Sequence, residues 1–246
     1  MSATESEAMT RIPDGAGVFP VEGVRLRVLE GTHPYHLTNR QAAEANWQTE
    51  IAANPALFDG RMVFQHRLSL QDGLVEGEGY VVPYSTFLWW RRQPLGHGGF
   101  HVFAFPVIAS ADGALIAVEM AAHTANAGQV YCAAGSLDPH DIVDGYCDIG
   151  GNMMREVREE TGLDLSQSTT DKRFFASYAR RRLTLLQLFR FDLPADAILE
   201  RIAAHMEVDE EKEIARAVAI RSPDPAAHPY NSVMLPVLDW FFAQPR

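Results

Sequence analysis

The nonapeptide Arg155-Glu156-Val157-Arg158-Glu159-Glu160-Thr161-Gly162-Leu163 constrains this chain more than any other stretch. Wound at about 100° per residue, it brings Glu156, Glu159 and Glu160 within one arc of roughly 100°, with Val157 to one side and Arg158 opposite. Like charges at i,i+3 and i,i+4 each cost a few tenths of a kcal/mol. A chain tolerates three carboxylates on one stripe most easily with a cation among them. Hard oxygen donors in this arrangement suit Mg2+, which takes one or two carboxylates and completes its shell with water and substrate phosphates. The plain alternative is a solvated helix face on which Arg155 and Glu159 form an ordinary i,i+4 pair.

As written, Arg-Glu-Val-x-Glu-Glu-x-Gly-Leu resembles the C-terminal half of the Nudix box, G-x5-E-x7-R-E-U-x-E-E-x-G-U with U aliphatic. Its seven defined positions are filled by Arg155, Glu156, Val157, Glu159, Glu160, Gly162 and Leu163. The front half departs from the pattern: Asp141 and Cys147 stand where its Gly and Glu belong. Gly135, taken as the opening glycine, precedes Arg155 by twenty residues instead of fourteen, so the loop is longer by six and lacks its usual Glu. Asp144 and Asp148 are the candidate replacements, although Asp148 also sits where the helix N-cap belongs.

The resemblance implies an α/β (α+β) fold, a Nudix-type α/β/α sandwich with a mixed sheet, here with an N-terminal accessory region. It implies a hydrolase of phosphoric anhydride bonds that uses Mg2+, or Mn2+ in its place, on a nucleoside diphosphate linked to another group. Carried over by position, Glu156, Glu159 and Glu160 are the metal ligands, with the carbonyl of Ala134 or Gly135 beside them. Arg155 is the arginine that orients a glutamate. The general base is expected in a downstream loop, where the chain offers Glu207, Glu210, Glu211 and Glu213, with Glu210 carried forward as candidate; Glu156 in the box is the other choice. A second stretch, Trp47 followed by Asn54-Pro55-Ala56-Leu57-Phe58-Asp59-Gly60, is similar to one in UDP-sugar-directed relatives, although Asn-Pro and Asp-Gly are also generic turn chemistry. With Arg91 and Arg92 as phosphate contacts, the expected substrate is a UDP-sugar such as UDP-glucose, cleaved to UMP and sugar 1-phosphate. The competing expectations are an ADP-ribose or dinucleotide pyrophosphatase, and a catalytically silent nucleotide-binding or sensor module.

Composition narrows the partners. A formal charge of −11 and a pI near 5.2 argue against a nucleic-acid footprint. No apolar run is long enough for a transmembrane helix and no signal-peptide layout is present, so no membrane partner and a cytoplasmic location are expected. The oligomeric state is open, a homodimer included. Cys132 and Cys147 form no metal or redox spacing and read as free thiols in a reducing compartment; Cys147 near the acidic stripe is a weak candidate nucleophile.

Three parts are expected: a flexible terminus over 1–20, an accessory region over 21–95 packed on the core, and the Nudix domain over 96–246. Alternation and turn signals predict strands at 21–29, 62–70, 74–84, 101–108, 114–121, 129–134, 174–178, 183–193 and 213–220. Asp72-Gly73 and Asp112-Gly113 mark two hairpins. Helical spacing predicts helices at 38–53, 86–92, 195–205 and 229–242, with Pro236 tolerable only in a first turn and Gly96 to Gly99 breaking the second.

Overall fold

The Asp72-Gly73 turn joins two long strands, β3 (Arg61–Gln71) and β4 (Leu74–Pro83), into a hairpin. It is the largest feature of the N-terminal third in the computed structural model, which describes residues 12, 15, 17–94 and 98–244. Most of the terminus expected to be flexible, and the break expected from Gly96, lie outside those residues. The last residues of that terminus form β1 (Val18–Val21), which pairs with β10 (Phe174–Ala179). This four-residue strand is too short for alternation to reveal.

The chain is α+β, with two mixed sheets and, among the described residues, five α-helices. The larger sheet runs β1-β10-β11-β5-β6-β12, where β11 is Arg182–Arg190, β5 His101–Ala109, β6 Leu115–Met120 and β12 Ile214–Ile220. Strands β5 and β11 lie parallel, His101 opposite Arg182. Strand β7 (Val130–Tyr131) adds to β6 and is shorter than the 129–134 expected, because the chain turns away at Cys132 toward the box.

The second sheet runs β3-β4-β2-β9-β8, with β2 at Gly23–Val28, β8 at Ile142–Val143 and β9 at Tyr146–Cys147. Strands β8 and β9 explain the long box loop. The additional residues make a tight hairpin at Asp144-Gly145, where both residues take positive φ (50° and 79°) as a type I′ turn requires. Arg27 of β2 pairs with Tyr146 of β9, so residues from 21–95 and from 96–246 meet in one sheet. A common core joins them: Leu26, Val63 and Val75 pack in one cluster with Phe105, Leu185 and the box-helix residues Met153 and Val157.

Helix α1 (Pro34–Ala53) starts four residues before the expected Thr38. Pro34 opens it and the His33 ring nitrogen Nδ1 accepts from the Tyr35 N–H at 3.0 Å, while Thr38 and Asn39 bond back to carbonyls one turn earlier. Helix α2 (Tyr84–Arg91) packs on α1 and on β3 through a smaller cluster of Tyr35, Phe64, Phe87 and Trp90. Helix α3 (Ile149–Thr161) carries the box and α4 (Ala195–Val208) packs beside it. The last helix, α5 (Leu235–Phe242), is shorter than the 229–242 expected: Asn231 caps a separate 3-10 turn over Ser232–Met234, and Pro236 falls in the first turn of α5. No helix among the described residues is long and apolar enough to cross a membrane.

Candidate active site

Helix α3 begins where Asp148 accepts from the Gly151 N–H at 2.9 Å, so Asp148 is a cap. Its buried positions are Ile149, Asn152, Met153, Glu156, Val157, Glu160 and Thr161, one stripe at helical spacing. Two of the three box glutamates therefore point into the protein. Glu159 points out, its side chain 57% exposed. A solvated acidic face does not describe this helix.

Arg155 lies among four carboxylates: Asp138 at 3.4 Å, Asp141 at 3.1 Å, and Glu156 and Glu159 at 2.9 Å each. Burial alone would lower its pKa, but Glu156, Asp141 and Asp138 outweigh it and hold the guanidinium above its ordinary value. Asp141 is buried and also accepts from Asn152 Nδ2 at 3.0 Å, while the same Asn152 nitrogen reaches Glu156 at 3.4 Å. Asp138 and Asp141 cap each other's backbone in a reciprocal box around Pro139. Sequence reading passed over Asp141 as a displaced glycine. Its signal was Asp138-Pro139-His140-Asp141, the start pattern of a helical turn. Asp144, one of the two proposed replacements, occupies the hairpin tip instead.

Glu160 has no comparable partner. Its Oε2 is buried without a hydrogen bond, and its carboxyl is pushed well above the usual range by burial, then by Glu156 and Glu213, against a backbone N–H from Ala134. Burial raises Glu156 to about 7, Arg155 opposing and Glu159, Asp141 and Asp138 adding to the rise. Loop residue Gly135 presses on this pair: a Cβ at that position would collide with the Glu156 carboxylate. Close approach of backbone to an acid is a role only glycine fills.

Among the described residues, no three His, Cys, Asp or Glu side chains converge into an all-protein metal cage. Mg2+ needs less, one or two carboxylates with water and phosphate for the rest. The donor set fits that requirement: Glu156 and Glu160 are adjacent hard oxygen donors, one with an orphaned buried oxygen, both held toward the neutral form first by burial and then by neighbouring acids. A divalent cation reverses that pressure. Glu159 fits less well, because Arg155 holds it outward.

Beside Ala134 and Gly135 opens a cavity of about 560 Å3. Its floor is the larger sheet (His101, Phe103, Phe105, Tyr131, Arg182), one wall is α2 (Tyr84, Phe87, Arg91), and the other is the segment 229–233. Arg91 is part of that lining, whereas Arg92 pairs with Glu50 at 2.7 Å and is absent from it. Arg182 and His101 were missed, because a strand-end arginine and a lone histidine carry no motif. His101 is packed between Phe87 and Phe103 at 4.4 and 4.8 Å, and burial, with Arg182 and Arg91 adding, lowers it to about 3, so the ring is neutral.

Of the downstream acids, Glu207 is exposed on α4 and Glu210 and Glu211 are exposed in the turn after it. Only Glu213 is among the charges that raise Glu160. It is accessible by area yet crowded enough that burial raises its own carboxyl. Burial, then Asp141, pushes the Cys147 thiol up to about 12, away from the thiolate that a nucleophile needs. The Asn54–Gly60 stretch performs turn chemistry, Asn54 donating to the His123 carbonyl at 2.7 Å and Asp59 accepting from the Ser85 N–H at 2.7 Å to start α2.

No family model and no curated protein matches the sequence. Among solved structures, the chain is similar to an Ap4A hydrolase from C. elegans at 15% identity and a TM-score of 0.41, over 57% of this chain and 96% of that one. It is similar to DR0079 from Deinococcus radiodurans at 11% identity and a TM-score of 0.44, over 74% and 99%. A Nudix hydrolase from M. smegmatis, RenU, gives 11% and 0.37, over 58% and 83%.

Proposed function

We propose that the chain is a divalent-metal-dependent pyrophosphohydrolase acting on a nucleoside diphosphate linked to another group, with a UDP-sugar as its substrate class. The observation that carries this reading is the buried Glu156–Glu160 pair, short of positive charge, touching through Gly135 the edge of a cavity walled by aromatic rings and arginines. When bound at Glu156 and Glu160, Mg2+ neutralises phosphate charge and lowers the pKa of water. The protein's own residues do the rest. Arg155, clamped by Asp141, steadies Glu156. Aromatic faces of the cavity stack on a base, and Asn126, Gln129 and Asn231 offer amide groups to its edge. Arg91 meets the anionic part of the ligand.

The reaction is hydrolysis: water adds to one phosphorus, the bridging P–O bond breaks, and the leaving phosphate takes the electron pair. The proton lost by water passes to a carboxylate, for which Glu213 is better placed than Glu210. For UDP-glucose the products are UMP and glucose 1-phosphate. Residues 21–95 act as an accessory element, since α2 supplies Tyr84, Phe87 and Arg91 to the cavity. Phosphorus NMR of a reaction with UDP-glucose and Mg2+ tests the assignment. Paired growth of UMP and sugar 1-phosphate signals supports it. UDP with free sugar contradicts the bond assignment, and a tenfold kcat/KM preference for ADP-ribose or a dinucleotide contradicts the substrate class.

A further inference from the structure

Arg91 and Arg182 are the two arginines that line this cavity, and among the described residues neither makes an ion pair, whereas Arg67, Arg92, Arg155, Arg173, Arg216 and Arg221 each have a carboxylate within 4 Å. Arg91 bonds to the Tyr84 hydroxyl, and burial, then Arg91 and Arg180, push Arg182 below its ordinary value. Arginine stays protonated even so. Two mutually repelling cations thus line one cavity of a chain with net charge −11. His101, opposite Arg182 in the sheet, adds an Nε2 that is buried without a partner.

Their place along the sheet matters. Ser136, next to Gly135, bridges Phe103, and His101 with its partner Arg182 lies two residues further along β5. Two residues of strand span about 7 Å. With the charge of a diphosphate at Glu156 and Glu160 offset by a cation there, Arg91 and Arg182 together supply more positive charge than the anhydride alone needs.

We propose that Arg91 and Arg182, with His101 as a neutral hydrogen-bonding partner, form a second anion subsite, so that preferred substrates carry a carboxylate or phosphate beyond the anhydride that is cleaved. This rests on the pyrophosphohydrolase reading for its substrate consequence, but the subsite itself is testable without turnover. Within the UDP-sugar class, it selects members with an acidic linked group over neutral ones.

The binding arm titrates tripolyphosphate into the full chain, metal-free in chelator, by calorimetry. Affinity falls at least tenfold in Arg182→Met and in Arg91→Met, is partly restored in Arg182→Lys, and does not fall in Glu160→Gln. Unchanged affinity in both methionine variants overturns the subsite. If Arg182→Met does not fold, the lysine variant and Arg91→Met carry the test. The kinetic arm compares UDP-glucuronate (carboxylate) and uridine tetraphosphate (phosphate) with UDP-glucose. At least one acidic substrate exceeds UDP-glucose tenfold in kcat/KM, and that advantage collapses in Arg182→Met or, failing that, Arg91→Met. Hydrolysis of all three without such an advantage overturns the proposal. Arginine-dependent tripolyphosphate binding with no hydrolysis of any nucleotide overturns the hydrolase reading and leaves the subsite standing.

Discussion

Arg155 and Arg182 are both partly buried arginines, and their surroundings are opposite. Arg155 is one guanidinium among four carboxylates, with a fifth, Glu160, left over. Arg182 has another arginine for a neighbour and no acid. One edge of the cavity is short of positive charge and the floor is short of negative charge. Buried charge is costly unless paired, so each imbalance marks where a ligand of the missing sign belongs: a cation at the helix, an anion along the sheet.

The largest expected effect breaks the acidic side of that contrast. Glu160→Gln keeps the shape and removes the orphaned charge; turnover at saturating Mg2+ drops at least about a hundredfold, because charge stabilisation worth several kcal/mol is lost. Its thermal midpoint stays level or rises, since a repelled carboxyl is gone. Near-normal turnover with Gln at 160 removes the metal role from this residue.

Replacing the downstream acids sharpens which loop serves the helix. Glu213→Gln lowers kcat by about a hundredfold with little change in KM, the pattern of a lost base, while Glu210→Gln stays within twofold of the parent. The reverse order of the two variants would return the role to Glu210.

Asp141→Asn should behave oppositely to Glu160→Gln in stability. It weakens charge-assisted bonds to Arg155 and Asn152, and urea denaturation should show a loss of about 2 kcal/mol. An unchanged midpoint would mean that Arg155 is held by its other three partners alone.

These acids also show what was legible in the sequence. The helix, its glutamates and Arg155 followed from one nonapeptide, because local spacing alone dictates a helical face. Which glutamates face inward did not follow, since that depends on the loop carrying Gly135 from a distant strand. The β8–β9 hairpin was written in Asp144-Gly145, a turn pair inside the six residues by which this loop exceeds the pattern it resembles. Arg182 and His101 meet only through parallel pairing of strands eighty residues apart in the chain, and nothing local announces that. Arg91 and Arg92 looked equivalent in sequence, yet a one-residue step on a helix turns a side chain by about 100°.

That last pair gives the smallest predicted effect. Arg91→Ala raises KM for the nucleotide substrate about tenfold, the loss of one charge-assisted contact. Arg92→Ala leaves KM within twofold and costs less than about 1 kcal/mol, as befits a half-exposed pair with Glu50. Initial rates across a substrate series separate them, and an equal rise in KM for both would place Arg92 in the cavity after all.

The central claim, that unmatched acid at the helix holds a metal which serves the cavity beside it, is tested most directly by metal-dependent turnover. A panel of nucleoside diphosphate derivatives is assayed in chelator and again with Mg2+ or Mn2+ restored, with phosphate products counted for the parent and for Glu160→Gln. The account predicts no turnover in chelator, recovery with either ion in the parent, and at least a hundredfold less recovery in the variant. Turnover that ignores the ion, or recovery that is equal in parent and variant, would contradict it.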